Sequence, residues 1–256
     1  MTYRLLTILF TVACLSCKQS NSNSTSESTG HREAPQDPVT IIPISHASLI
    51  LDAGDQVIYV DPTGGANAYL GQKRPTAVFI TDIHGDHMNK ITLEELQLND
   101  IPLIAPPAVL EKLPSTISKN TFEAKNNFEY ELENGLSFST VPMYNLREEA
   151  LKFHPKGRGN GYVLNIQGQR IYISGDTEDI PEMRALKDID KAFICMNLPY
   201  TMPVDRAADA VIEFKPKQVY PYHYRGQGGL SDVNKFKAVV NEGDSSIEVV
   251  QLDWYK

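Results

Sequence analysis

Short apolar runs rich in β-branched and aromatic residues are the feature that most constrains how this chain can fold. Runs of this length and composition are typical of β-strands. They lie at residues 39–44, 48–51, 56–60, 77–81, 136–141, 161–166, 170–174, 192–196, 218–221 and 247–252. Turn-forming residues at 53–55 and 167–169 predict two hairpins. Helical patterns separate the later runs, at 93–98, 108–113, 181–187, 205–214 and 232–240. Two strand-rich halves with interspersed helices suggest an α/β fold with two sheets packed face to face and helices outside.

Length and composition favour one soluble domain. The chain has 256 residues, 41% of them hydrophobic, which is enough to bury a core without disulfides. Its 32 acidic and 24 basic residues give a formal net charge of -8. Because nucleic-acid binding relies on clustered Lys and Arg, this balance argues against a nucleic-acid partner. Three cysteines are too few for a disulfide scaffold.

The first 38 residues are predicted to be an export signal followed by a flexible tether. In residues 1–17 the lone Arg4 precedes an apolar run of signal-peptide length that ends at Cys17. This arrangement resembles the lipobox of bacterial lipoproteins, so Cys17 is the candidate lipidation site. Residues 18–38 are rich in Ser, Asn and Thr and predict a flexible tether, which leaves 39–256 for the folded domain. We expect an exported protein, lipid-anchored in the bacterial cell envelope. Plain secretion and a fortuitous apolar start on a cytoplasmic protein are the alternatives.

The segment Thr-Asp-Ile-His-Gly-Asp-His, residues 81–87, is the strongest local signal of chemistry. It follows an apolar strand and precedes a helical segment, so it forms a loop at a strand end. Its four potential ligands can turn toward one point in such a loop. A pair of neighbouring metal ions needs about this density of nitrogen and oxygen donors.

Two later segments repeat the same placement. Asp176 lies in Ser-Gly-Asp-Thr directly after a predicted strand, and His223 lies in Pro-Tyr-His-Tyr after another. Either residue alone is more typical of a turn or of a hydrogen-bonded structural side chain. Their occurrence together with residues 81–87 indicates a metal site.

Together these segments resemble the metallo-β-lactamase superfamily, whose signature is H-x-H-x-D-H followed by a G-D-T aspartate and a late histidine. Ser-His-Ala-Ser-Leu-Ile at 45–50 and Val-Asp-Pro at 60–62 are similar to the branch that contains ascorbate-phosphate lactonase-like and uncharacterised hydrolases. The resemblance covers most of 39–256. It implies a four-layer αββα sandwich.

The resemblance also implies a ligand set. His84 and Asp82 belong to the first metal site, Asp86, His87 and His223 to the second, and Asp176 bridges both. Asp82 stands where the signature has its first histidine. Asn145 stands near the position of the third ligand of the first site and is a weak neutral ligand. His154 is a possible replacement, but its neighbours suggest a hydrogen-bonding or acid role.

Metal-assisted hydrolysis is the chemistry that this ligand set implies. Carboxylates and imidazoles without a thiolate suit one or two ions of Zn²⁺, with Mn²⁺ or Fe²⁺ as alternatives. Asp86 is expected to orient the attacking water while also acting as a ligand. Asp86 and His154 are thus the candidate catalytic residues.

Cations near the predicted site suggest an anionic small-molecule substrate. Lys156 and Arg158 lie among glycines in residues 153–161, and Arg225 follows His223 by two positions. Such groups bind phosphate or carboxylate. A mobile basic turn is the alternative for 153–161. Tyr200, in a loop after a predicted strand, is expected to form a substrate wall.

Two further residues are expected to support the ligands from outside. His46 follows the first strand, where a hydrogen-bonded structural histidine is the simpler interpretation, and Asp61 is expected to anchor a ligand. Asn145 is placed with them because it is a poor ligand.

The predicted function is hydrolysis of a small, anionic ester, lactone or phosphoester. A non-catalytic or weakly catalytic metal-binding or sensing domain of the same fold is the alternative, because Asp82 and Asn145 weaken the first site. β-Lactam hydrolysis is a third possibility.

Overall fold

The computed structural model describes residues 37–255. The predicted signal segment and nearly all of the predicted tether lie outside these residues. Within 37–255 the strands are β1 (Thr40–Ser45), β2 (Ser48–Asp52), β3 (Val57–Val60), β4 (Ala77–Phe79), β5 (Leu103–Ala105), β6 (Thr121–Glu123), β7 (Glu129–Glu131), β8 (Ser137–Met143), β9 (Gly159–Ile166), β10 (Gln169–Ile173), β11 (Lys191–Cys195), β12 (Gln218–Tyr222), β13 (Arg225–Gly226), β14 (Gly229–Leu230) and β15 (Glu248–Val249). The α-helices are α1 (Lys90–Glu95), α2 (Pro107–Leu110), α3 (Pro181–Arg184), α4 (Val204–Phe214) and α5 (Val233–Gly243). Two short 3₁₀ helices lie at Ala66–Tyr69 and Glu148–Ala150.

Two mixed sheets form the centre of the fold. The first has the order β1-β2-β3-β4-β5-β6, and the second has the order β15-β12-β11-β10-β9-β8-β7. Each sheet is antiparallel on one side and parallel on the other: β3, β4, β5 and β6 run parallel in the first sheet, and β10, β11, β12 and β15 run parallel in the second. β13 and β14 form a separate two-stranded hairpin.

The first sheet buries both of its faces, as its alternating residues show. Ile58 and Val60 of β3 belong to the core between the sheets, whereas Val57 and Tyr59 of the same strand face a second apolar cluster. The strand period of two residues produces this division. Phe79 packs edge-on against Phe138 and Tyr162 of the second sheet, with ring centroids 5.1 and 5.0 Å away.

Helices cover the outer faces. Leu93 of α1 and Val109 of α2 lie in the cluster on the outside of the first sheet. On the second sheet, Phe214 of α4 packs edge-on against Tyr172 of β10. The architecture is the four-layer αββα sandwich that the sequence predicted.

The strand order brings many loops to one edge of the sandwich. β1, β3 and β4 run in the same direction, so their carboxyl ends meet at one edge of the first sheet. β8, β10, β11 and β12 share a direction in the second sheet. Loops that follow parallel strands at such an edge commonly carry binding and catalytic groups.

Short elements are the main difference from the sequence-based expectation. The hairpins at 53–55 and 167–169 are confirmed, and the five predicted helices are present with shifted ends. The sequence did not predict β5, β6, β7, β13 or β14, each of only two or three residues. Between residues 37 and 255, no helix is long and apolar enough to cross a membrane.

Candidate metal centre

The predicted ligands converge at the shared edge as two groups. Each group supplies one nitrogen or oxygen atom per residue, and within a group these atoms all lie within 4.8 Å of one another. The first group is Asp82, His84 and His154, and the second is Asp86, His87 and His223. The sequence predicted the other five residues as ligands and offered His154 as a possible replacement in the first site, with a hydrogen-bonding or acid role as the preferred interpretation.

Asp176 lies between the two groups. Its Oδ2 atom is 3.2 Å from His154 Nε2 and 3.4 Å from His87 Nε2, and its Oδ1 atom is 3.3 Å from His223 Nε2. Burial opposes ionisation of Asp176, but the positive charges of His223 and His87 hold its pKa well below the usual value. The structure therefore places this carboxylate where the resemblance implies a bridging ligand.

Asp61 orients His87 from outside the cluster. The fully buried Asp61 follows β3 and accepts hydrogen bonds from the backbone nitrogen and the hydroxyl of Thr81, at 2.7 and 2.6 Å. The single proton of that hydroxyl is used on Asp61, so in its own 2.9 Å contact with His87 Nδ1 the hydroxyl can only accept. His87 Nδ1 therefore carries a proton, and it also lies 2.8 Å from Asp61 Oδ2 as a donor. The carboxylate thus fixes the ring, and Nε2 points toward Asp176. This is the outer support that metal-binding histidines usually have.

The buried atoms at this edge fit a divalent cation. His87 Nε2, His154 Nε2 and Asp176 Oδ1 are buried without a hydrogen-bond partner among the described residues. Unsatisfied buried polar atoms are costly, and a bound cation is what would satisfy lone pairs that point toward each other. Imidazole nitrogens and carboxylate oxygens are suitable donors for such an ion. A divalent ion held here supplies a nucleophile from water near neutral pH and stabilises the negative charge that develops during hydrolysis.

A small cleft opens onto the cluster. Its volume is about 280 Å³, and it is lined by His84, Asp86, Phe153, His154, Asp176, Asn197 and Tyr200. The Asp86 side chain is 44% exposed, which leaves it accessible from the cleft. The rings of Phe153 and Tyr200 meet edge-on at 5.1 Å and form an apolar wall. Tyr200 thus lies where the sequence placed a substrate wall.

Of the predicted substrate-binding cations, only Arg158 reaches the cluster. It donates from Nε and Nη2 to the two oxygens of Asp82, at 3.1 and 3.0 Å. Burial raises the pKa of Asp82, but the hydrogen bond of His84 and the positive charges of His87, His84 and Arg158 lower it to about 2.

Lys156 and Arg225 do not line the cleft. The Lys156 ammonium lies 2.9 Å from Glu182 and over the ring of Tyr144, so its charge is already paired. The Arg225 guanidinium stacks over Tyr255. The expectation that these two cations bind substrate is therefore not supported by their positions, because sequence proximity to the ligands did not set the direction of their side chains.

His46 and Asn145 each touch a predicted ligand. The backbone nitrogen of His223 donates to the His46 carbonyl at 3.1 Å, and the two rings pack edge-on at 5.6 Å. Asn145 Nδ2 lies 3.2 Å from His154 Nδ1. Both therefore support the site from outside it.

Asn197 is a residue of the site to which the sequence gave no role. It follows β11, and its Nδ2 atom lies 3.4 Å from His223 Nε2. Its Oδ1 atom accepts a hydrogen bond from the Thr201 hydroxyl. Its position after the strand between the Asp176 and His223 strands was a signal that could have identified it.

The fold and the clustered ligands define a metal-dependent hydrolase of the metallo-β-lactamase type. Residues 48–224 match the family described as the beta-lactamase superfamily domain, so the chain belongs to that superfamily.

Several relatives share this description. A UPF0173 metal-dependent hydrolase of Archaeoglobus fulgidus is 26% identical over 223 residues, which span 82% of this chain and 94% of the relative. The crystal structure of a proposed metal-dependent hydrolase from Parabacteroides distasonis is 37% identical, with a TM-score of 0.73 over 83% of this chain and 92% of its own. Igni18, a metallo hydrolase from Ignicoccus hospitalis, is 21% identical, with a TM-score of 0.71 over 85% of this chain and 96% of its own, and shares the fold.

Proposed function

We propose that the protein is an exported hydrolase that uses Zn²⁺ to cleave a small, anionic ester, lactone or phosphoester. The observation that carries the proposal is the set of buried, unpartnered atoms on His87, His154 and Asp176 that face one another beside an open cleft. Such an arrangement joins a metal site to a place where a substrate can bind.

The donor set supports Zn²⁺ as the first choice of ion. Histidine nitrogens and carboxylate oxygens provide all the candidate ligands, and these also suit Mn²⁺ and Fe²⁺. Cys195 does not join them: it is buried in β11, and burial raises the pKa of its thiol to about 12.

The size of the cleft supports a small substrate. About 280 Å³ is at the lower end of the volumes that hold small ligands in proteins. The edge-on pair Phe153 and Tyr200 offers an apolar surface to a ring or short chain and excludes water from that side. Asp86, which is exposed to the cleft, is positioned to accept a hydrogen bond from water.

The support for an anionic substrate is Arg158. Its Nε and Nη2 atoms are engaged by Asp82, whereas its Nη1 group donates no hydrogen bond to any side chain or backbone atom in residues 37–255. The Arg158 side chain as a whole is 17% exposed. One free edge beside a divalent ion is enough to favour a carboxylate or phosphate group.

A substrate screen with metal control tests the proposal. The purified protein, stripped with a chelator and reloaded with Zn²⁺, is offered nitrophenyl esters, lactones, bis-nitrophenyl phosphate and the β-lactam nitrocefin. We expect turnover of one of the first three classes that disappears on chelation and returns with metal. The variants Asp176→Ala and His223→Ala should be inactive. Turnover that survives both substitutions would contradict the proposal, and tight metal binding without any turnover would favour the binding-domain alternative.

Export and lipidation are the part of the proposal that rests on residues 1–38. The apolar run that ends at Cys17 and the polar tract after it support a lipid anchor. Expression in a bacterial host with labelled palmitate should label the wild-type protein and the Cys14→Ser control, but not Cys17→Ser. Equal labelling of Cys17→Ser and wild type would rule out Cys17 as the anchor.

A further inference from the structure

The first metal group differs from the second in two ways that the signature does not explain. Its third ligand position holds Asn145, and its carboxylate, Asp82, is bound by an arginine. We propose that His154 is the third ligand of the first group, and that Arg158 holds Asp82 so that this group binds its ion more weakly than the second. The inference rests on the proposed function only in that a divalent ion binds at this edge.

His154 has the position of a ligand. Its side chain is 1% exposed, and its Nε2 atom lies 3.8 Å from Asp82 Oδ2 and 3.2 Å from Asp176 Oδ2. Its ring packs edge-on against His84 at 5.2 Å. Nε2 has no hydrogen-bond partner among the described residues although it is fully buried. A buried nitrogen beside the carboxylates of Asp82 and Asp176 and the ring of His84 is satisfied by a shared cation.

Hydrogen-bond counting fixes which ring nitrogen of His154 is free. Asn145 Nδ2 has two protons, and it lies 2.9 Å from the Ala150 carbonyl and 2.6 Å from the Tyr200 carbonyl. Both protons are therefore used, and none remains for His154 Nδ1. Since Nδ1 lies 3.1 Å from the same Tyr200 carbonyl, it must carry a proton and donate. In the neutral ring, Nε2 then carries the lone pair that a metal ion needs.

Asn145 is a positioning residue for this ligand. Its backbone nitrogen donates to the His154 carbonyl at 2.9 Å, and its side chain holds the Tyr200 carbonyl against the His154 ring. The short 3₁₀ helix Glu148–Ala150 between the two residues turns the chain back on itself. The segment after β8 thereby places the His154 imidazole at the site. This residue lies nine positions after Asn145, which occupies the usual position of the ligand.

Arg158 reduces the negative charge that the first group offers to an ion. Its two hydrogen bonds to Asp82 engage both carboxylate oxygens, and His84 Nδ1 makes a third contact at 2.7 Å. The carboxylate of the second group, Asp86, lies 3.3 Å from His223 Nε2 and is not bound by Lys or Arg in the part of the chain that the structure describes. An ion in the first group must therefore compete with a fixed cation, whereas an ion in the second need not.

Metal titration of the full-length protein without substrate tests the inference. The chelator-treated protein is titrated with Co²⁺, whose visible absorption reports the coordination at each site, and bound metal is counted by elemental analysis. We expect two binding steps whose affinities differ by at least tenfold. His154→Ala should bind one ion, with the tight step unchanged. Arg158→Met should bind two, with the weak step strengthened by at least tenfold.

Control variants separate these effects from general damage. Lys156→Met removes a cation from the same segment, but Lys156 is paired with Glu182 away from the cleft, so both steps should match wild type. The unchanged tight step is an internal check of folding in every variant. If His154→Ala does not fold, His154→Gln, which nearly preserves the volume, takes its place and should also bind one ion.

Two results would overturn the inference: two ions in the His154 variants at wild-type affinity, or a weak step in Arg158→Met that is unchanged or weaker. A wild-type protein that binds only one ion at saturating Co²⁺ and still hydrolyses substrate would also overturn it while leaving the proposed function intact. A protein that shows both binding steps but hydrolyses none of the substrates would contradict the proposed function and leave this inference intact.

Discussion

The Nε2 atom of His154 lies 3.2 Å from the Oδ2 atom of Asp176, so the connection between β8 and β9 meets the end of β10 at the centre of the site. The same carboxylate lies 3.4 Å from His87 and 3.3 Å from His223. Asp176 is therefore a carboxylate that contacts histidines of both groups. A change at this carboxylate should affect both groups at once.

Substitution of Asp176 is expected to cost more than substitution of any supporting residue. Asp176→Ala should lower kcat/KM by more than about a hundredfold, because loss of an outer support alone typically costs 10- to 100-fold. Metal content measured by elemental analysis should fall at both groups. Asp209→Ala, which removes an exposed carboxylate on α4, is the control and should retain wild-type metal content. Full metal occupancy in Asp176→Ala would show that the carboxylate is not a ligand.

Removal of Asp61 should weaken the second group through His87. The carboxylate accepts the Nδ1 proton of His87 and holds the ring in place, so Asp61→Ala frees the ring to rotate. We expect the metal affinity to fall by about 10- to 100-fold. Competition with a chromophoric chelator measures this change. Asp52→Asn, at the end of β2 where Asp52 pairs with Lys73, should leave the affinity unchanged. An affinity equal to wild type in Asp61→Ala would contradict the role assigned to Asp61.

The strand pattern and the motif segments allowed much of the fold and the site to be predicted. Local composition predicted strands at residues 77–81, 170–174 and 218–221. The polar residues just after these strands lie at one edge of the sandwich. This succeeded because parallel strands place their carboxyl ends together whatever the intervening chain does. Asp61 was also expected to anchor a ligand, and it lies 2.8 Å from His87.

The direction of individual side chains could not be predicted from the sequence. Lys156 and Arg158 are two residues apart and look equivalent, yet one pairs with Glu182 on the surface and the other with Asp82 in the site. The place of His154 depends on hydrogen bonds to carbonyls that are distant in sequence, notably that of Tyr200. No local pattern encodes such long-range partners.

Protonation of His223 should make the stability of the metal-free protein fall at high pH. Burial lowers the pKa of His223, but the negative charge of Asp176 and the hydrogen bonds with Asp176 and Asp86 raise it to about 9. A raised pKa in the folded state stabilises the protein fully below the unfolded value of 6.5, and the effect is lost as pH rises to about 9. The free energy of unfolding of the chelator-treated protein should therefore decrease between pH 6.5 and 9.

Bound metal should reverse this trend, because the ion must displace the same proton. The difference in Tm between the Zn²⁺-loaded and the metal-free protein should grow as pH rises from 6.5 to 9. His223→Gln should flatten the pH dependence of the metal-free protein. A metal-free protein that gains stability across this range would contradict the assignment of the proton to His223.

The hairpin of β13 and β14 should control the position of the cleft wall. Gly226 lies against the loop that carries Asn197 and Tyr200, and a Cβ atom added there would be 1.8 Å from the Leu198 carbonyl oxygen. Gly226→Ala must therefore push the loop or the hairpin away. Because Tyr200 lines the cleft, we expect kcat/KM to fall by at least about tenfold, with a loss of stability of about 1–3 kcal/mol.

Gly228→Ala provides a closely matched control. Gly228 belongs to the same hairpin, but an added Cβ atom would meet nothing within 4 Å, and its backbone does not have a positive φ. The Gly228 variant should match wild type in kcat/KM and in its melting temperature. Metal content should remain at the wild-type level in both variants, since the loop that moves carries the apolar wall and Asn197 rather than the ligands. Equal kinetics for the two variants would show that the hairpin does not set the shape of the cleft.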